Sequence, residues 1–282
     1  MAQALPYVWQ ENVVRAVELH LDANLATELS TYELEVVPGA CVRVPEVSSF
    51  NRTVTIPYVY LRAQASISQP LLLYALGAPQ AQNIDRILDI QDAQMARLEA
   101  ELRERCLQDD LGNSDPLNPQ IVNPLLQMGV SPNDYAQMLK QLDTPENRSL
   151  GDFFGSAFLF ILMHEAAHTL EFSGHNLEPF SDASHSELVA DDFAEIVMKK
   201  EGFPAVIYVG VLQLLAAREA SLSDNPVLAC RVARMLENGI KPEPDFFTSP
   251  PFNVPPRVAD SFSARLLELD TKLRERYSIS SC

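Results

Sequence analysis

The sequence predicts an α+β fold that is mainly helical, with a small N-terminal sheet and one buried helix at its centre. Three observations carry this expectation. β-Branched and aromatic residues at strand spacing are concentrated in residues 32–61. Over most of the remainder, apolar residues recur at intervals of three and four. Residues 153–163, FFGSAFLFILM, are apolar on nearly all sides of a helix, as a buried element requires.

Taking the elements in order, Val13, Val14, Val17, Leu21 and Leu25 give residues 7–30 the stripe of an amphipathic helix. His20 lies within it and reads as an ordinary surface or core histidine. Residues 32–37 and 41–47 are two short strands separated by Pro38-Gly39, and 53–61, TVTIPYVYL, is the best strand candidate in the chain. Pro57 has no N–H to give to a ladder, so that strand is expected at an edge or at a bulge, where it could take a substrate by strand addition. Residues 82–108 form one long helix with Ile84, Leu88, Met95, Leu98 and Leu102 on its apolar stripe, interrupted by Gln91. The stretch 109–132, rich in Pro, Asn, Asp and Gly, is a loop that could serve as a lid.

Ser131-Pro132-Asn133-Asp134 has the order of an N-cap, a first-turn proline and an acidic N3, opening a helix to residue 142. Helices are expected over 151–172, ended by Ser173-Gly174, and over 184–200, ended by Gly202-Phe203-Pro204. Two more follow over 205–222 and 226–237. Residues 241–256 hold six of the chain's 20 prolines and should be extended, and an amphipathic helix over 257–277 closes the chain. The chain divides most readily into an N-terminal α/β part, 1–142, and a helical part, 143–282, which could also be one continuous domain.

Composition sets limits on function. With 38 Asp and Glu against 21 Lys and Arg, the formal charge is −17, and neither nucleic acid nor an anionic lipid surface is an expected partner. No membrane insertion is expected either, since 153–163 is about half the roughly 20 residues needed to span a bilayer. The four cysteines, Cys41, Cys106, Cys230 and Cys282, form no C-x-x-C pair and are expected to be reduced thiols. Together with an N-terminus that lacks the basic and apolar regions of a secretory signal, this favours the cytoplasm.

The chemistry is concentrated in residues 153–192. His164, Glu165 and His168 form H-E-x-x-H within the buried helix. Residues four apart share a helix face, so His164 and His168 can direct ring nitrogens to one ion while Glu165 stands beside them as a base for a bound water. Two rings and a carboxylate in an apolar core without such a purpose would be costly. A third ligand is needed, and His175, Glu178, His185 and Glu187 are the candidates. Position 174, where a metzincin places its third histidine, is Gly174, and that motif's glycine position is Glu171. Glu187 lies nineteen residues after His168 on a separate helix, with Asp191 one turn further on the same face. Such a pair can supply a metal carboxylate and a partner for the N–H of His164.

HEAAH followed by ELVADD resembles the gluzincin group of zinc metallopeptidases, in which H-E-x-x-H and a downstream E-x-x-x-D or E-x-x-A-D form the site. Residues 225–231, NPVLACR, are similar to the H-P-x-x-x-x-R segment of HtpX-like and CAAX-prenyl-protease-like peptidases, with Asn225 in place of histidine. The resemblance spans about 153–234 and extends to soluble minimal gluzincins, including the IrrE/ImmA-like group. It implies a zincin-like fold, Zn2+ held by His164, His168 and Glu187, Asp191 behind His164, Glu165 as general base, and a peptide or protein substrate. For an oxyanion donor it leaves Tyr208, Arg218, Asn225 and Arg231, each of which could instead be structural. The alternative expectation is a non-catalytic or regulatory zinc-binding protein that docks partners on an acidic helical surface.

Overall fold

The indole of Trp9 anchors the N-terminal helices. In the computed structural model of the chain, which describes residues 8–37, 45–109, 122–141, 157–177, 185–201, 231, 234, 247–248 and 253–276, Trp9 is fully buried and its Nε1–H donates to the carbonyl of Leu29 at 3.0 Å. The single predicted helix over 7–30 is three pieces. A π-helical stretch, Trp9–Val14, runs into α1, Arg15–His20, and after a break α2 covers Ala23–Leu29. The break has a local cause: Asp22 is extended and its carboxylate accepts from Asn24 N at 2.6 Å, so it caps a new helix in place of continuing the old one. His20 pairs with Glu201, Nε2 to Oε1 at 2.7 Å.

The sheet has three strands in the order β1-β3-β2: β1 Glu33–Val37, β2 Glu46–Ser48 and β3 Thr53–Pro57. β1 and β3 are parallel, with Glu33 opposite Thr53 and Val37 opposite Pro57, while β2 and β3 are antiparallel. Two expectations are corrected here. β3 is the central strand, not an edge, which removes it as a site of strand addition. It also ends at Pro57, and Tyr58 opens a helix, α3, Tyr58–Ala75. Proline is tolerated in the centre of this sheet because it is the last residue of its strand, where a missing N–H interrupts nothing beyond it.

α4 covers Ile84–Asp109, α5 Pro124–Gln127, α6 Pro132–Gln141, α7 Ala157–Phe172, α8 Ser186–Lys200 and α9 Pro256–Arg276. The protein is thus mainly helical with a small mixed sheet. At the start of α6, Ser131 Oγ accepts from Asp134 N at 3.1 Å and donates to the Asp134 carboxylate at 2.7 Å, the capping arrangement expected from its sequence. The helices expected over 205–222 and 226–237 lie almost wholly outside the described residues, as do residues 110–121 of the expected 109–132 loop, whose described end holds α5, and most of 241–256. Within that last stretch Phe247 is helical and fully buried, its ring T-shaped on Phe262 at 5.0 Å, so the segment is not extended throughout.

Contacts divide the chain into two compact units, one made of residues 1–62, 99–119 and 158–203 and the other of 63–98, 120–157 and 204–282. The first holds the sheet, α1, α2, α7 and α8. In the second, Ile84, Ile87 and Leu88 on α4 and Ala259, Phe262, Leu266 and Leu269 on α9 supply buried apolar side chains. Gln91 is also fully buried there, and its Oε1 accepts from Ser66 Oγ at 3.5 Å. Cys106, the one cysteine among the described residues, is disulfide-bonded. This corrects the expectation of reduced thiols: separation along the chain carries no information about which distant cysteines meet. Among the described residues no helix is long and apolar enough to cross a membrane.

Candidate metal centre

α7 is helical because AFLFILMHEAAHTLEF contains neither Gly nor Pro, and its middle is buried because apolar residues predominate there. Phe160 to Ala167 are all buried, His164 and Glu165 among them. Its end is fixed by Gly174 at φ +83°, where glycine is favoured. Gly174 N donates to Glu171 O at 2.9 Å and His175 N to Leu170 O at 3.0 Å, the two bonds of a Schellman cap. Ser173 Oγ then donates to Glu28 at 2.8 Å, and Glu28 is also 3.5 Å from Arg52, so the end of the helix is tied to α2 and to the turn before β3.

α8 begins where His185, extended, accepts from Glu187 N through Nδ1 at 3.3 Å. Of the sequence candidates for a third ligand, His185 is therefore a helix cap, His175 takes part in the end of α7 through its backbone, and Glu178 lies outside the described residues. Glu187 stands in the first turn of α8, where a carboxylate is favoured by the helix dipole. Its two oxygens face the two histidines: Oε2 is 3.4 Å from His164 Nε2 and Oε1 is 3.4 Å from His168 Nε2. The two Nε2 atoms are 3.1 Å apart, with the rings edge-on at 85°. Donor atoms of His164, His168 and Glu187 all lie within 4.8 Å of one another, a group that could hold a metal ion.

The spacing of these atoms suits a small cation. Ligands ~2.0–2.2 Å from one ion at tetrahedral angles stand ~3.3–3.6 Å apart, which both 3.4 Å nitrogen–oxygen distances match and the 3.1 Å nitrogen–nitrogen distance falls slightly short of. The chemistry of the donors suits it too. Asp191, one turn along α8 and buried, places Oδ1 2.7 Å from His164 Nδ1. The direction of that contact departs from a linear hydrogen bond, yet it sets a carboxylate against the ring nitrogen that faces away from the cluster. A proton on Nδ1 leaves the Nε2 lone pair directed at the cluster.

His168 has a comparable arrangement that the sequence reading missed. Its Nδ1 is 3.3 Å from Glu171 Oε2 and 3.3 Å from Ser186 Oγ, and Ser186 Oγ donates to the same Glu171 oxygen at 2.5 Å. The signals were available: Glu171 is three residues beyond His168 on the same helix, and Ser186 immediately precedes Glu187. Two imidazoles and a carboxylate that converge as three acceptors repel one another unless a proton or a metal cation lies among them. Glu165 is buried next to His164, and its main-chain carbonyl accepts from Thr169 Oγ1 at 2.9 Å.

Of the remaining expected site residues, Arg231 alone is among the described residues. Tyr208, Arg218 and Asn225 lie outside the described residues, and Arg231 is helical and half-buried in the other unit. Comparison of the chain with protein-family models, with curated proteins and with solved structures finds no match.

Proposed function

We propose that this protein is a zinc-dependent metallopeptidase of gluzincin type, in which His164, His168 and Glu187 hold Zn2+ and Glu165 is the general base. The observation that carries the reading is the convergence of the two Nε2 atoms, 3.1 Å apart and one helical turn apart on α7, with the two oxygens of Glu187 from the first turn of α8, each 3.4 Å from one of them. Bound there, zinc would act as a Lewis acid and lower the pKa of a coordinated water. The protein's own part is to hold donors and to move a proton. Asp191 sets a carboxylate against His164 Nδ1, and Glu187 spans both rings with its two oxygens. The Glu165 carboxylate accepts a proton from the attacking water and returns it to the nitrogen of the departing amine as the peptide C–N bond breaks.

The substrate class is a peptide or protein chain. For the compartment, the cytoplasmic expectation drew on reduced thiols, and the Cys106 disulfide removes that support, since cytosolic thiols are kept reduced. The test combines metal analysis with a peptide-cleavage screen on the full chain and on Glu165→Gln. The expected result is one zinc per chain in both proteins and a fall in cleavage of roughly 10²–10⁴-fold in the variant. Unchanged cleavage in Glu165→Gln would remove the assignment. Stoichiometric zinc without turnover of any peptide would leave the regulatory reading of the same metal site.

A further inference from the structure

We propose that Glu171, acting with Ser186, is the positioning residue of His168: the pair fixes the proton of that imidazole on Nδ1 and so turns its Nε2 lone pair toward Glu187 and His164. The inference rests on the metal-site reading above, and the proton count at these atoms carries it. Ser186 Oγ donates its one hydroxyl proton to Glu171 Oε2 at 2.5 Å. Its oxygen then has only acceptor capacity left toward His168 Nδ1, 3.3 Å away. The other atom facing Nδ1 is Glu171 Oε2, also at 3.3 Å and also an acceptor. With acceptors on both contacts, the ring nitrogen between them must be the donor, and in a neutral imidazole the opposite nitrogen then carries the lone pair.

The position of the pair serves a second purpose. Glu171 belongs to α7 and Ser186 is the first residue of α8, next to Glu187. Their bond therefore joins the helix that supplies two donors to the residue adjoining the third, and it sets the axial register of Glu187 against His168. Asp191 reaches His164 from α8, whereas Glu171 reaches His168 from its own helix, so the two rings are held from opposite directions in sequence. Glu171 and Ser186 are partly or fully exposed, and neither belongs to the buried core, so their replacement leaves the packing of α7 intact.

The experiment measures two quantities on the full chain and on Glu171→Ala, Glu171→Gln and Ser186→Ala. The first is zinc affinity by competition with a chromogenic chelator. The second is the tautomer of His168 in metal-free protein, read from its ring nitrogen shifts by NMR at a pH where the imidazole is neutral, with the signal assigned by its absence in His168→Gln. Glu171→Ala is expected to lose zinc affinity roughly 10- to 100-fold and to move the proton toward Nε2. Ser186→Ala should lose less, and Glu171→Gln, which keeps an acceptor oxygen, should recover part of both. Zinc affinity and tautomer both unchanged in Glu171→Ala would overturn the proposal. Failure of the wild-type chain to bind zinc would overturn the metal reading separately, and the tautomer alone would then decide whether Glu171 positions His168.

Discussion

The charged side chains between α7 and α8 and those between α4 and α9 use similar chemistry at different depths. On α4 and α9, Arg276 meets Asp89 at 2.9 Å and Asp92 at 2.6 Å, and Lys272 meets Asp85 at 2.8 Å, with Asp85 and Asp89 more than half exposed. On α7 and α8, His164 and Asp191 are each buried to more than nine-tenths. Exposed pairs balance opposite charges that water would have screened anyway. The set on α7 and α8 instead brings two imidazoles and a carboxylate together, a group that could hold a metal ion.

The comparison is tested most severely by removing a donor. His168→Ala should abolish stoichiometric zinc, measured by atomic absorption after gel filtration. A variant that still held one zinc per chain would show that the three-acceptor cluster is not the metal site. Asp191→Asn should act less strongly, lowering zinc affinity roughly 10- to 100-fold by chelator competition while the chain stays folded. Equal affinity would mean that the buried carboxylate is a packing element.

On the other side of the comparison, Arg276→Ala should cost about 0–1 kcal/mol by urea unfolding, and less as salt is added. A loss of several kcal/mol would show that the α4 and α9 pairs are as consequential as the buried ones. The smallest effect concerns Lys272, whose amine is held above its ordinary value by its hydrogen bond to Asp85. A raised folded pKa stabilises below the unfolded value and loses that contribution as pH rises through the folded one. The difference in thermal midpoint between wild type and Lys272→Met should therefore be small at neutral pH and vanish in the alkaline range. A difference that grew with pH would contradict the pairing.

The donors of the candidate site were legible because their geometry is local. A spacing of four on a helix puts His164 and His168 on one face whatever surrounds them, and the same holds for Glu187 and Asp191. Glu171 and Ser186 were harder to see, since an acidic residue at i+3 and a serine at a helix start are common without any such role. The sheet shows a different limit. In TVTIPYVYL the β-branched and aromatic residues continue through Pro57, so composition does not mark where β3 ends and α3 begins. α3 continues through Pro70, where local rules expect a helix to end. The break at Asp22 could have been read from the cap it provides. The Cys106 disulfide could not, because it depends on contacts between segments distant in sequence.

The Schellman cap at Gly174 turns the chain out of α7 six residues after His168, and the chain must return by Glu187, nineteen residues on. An ion shared by those two residues would close that stretch into a ring, as a disulfide does. By the same chain-entropy accounting, a closure of this length removes freedom from the unfolded chain worth about 3 kcal/mol. Metal at this site would then be a cross-link between two helices as well as a reagent, and stripping it would remove that constraint from the stretch between them.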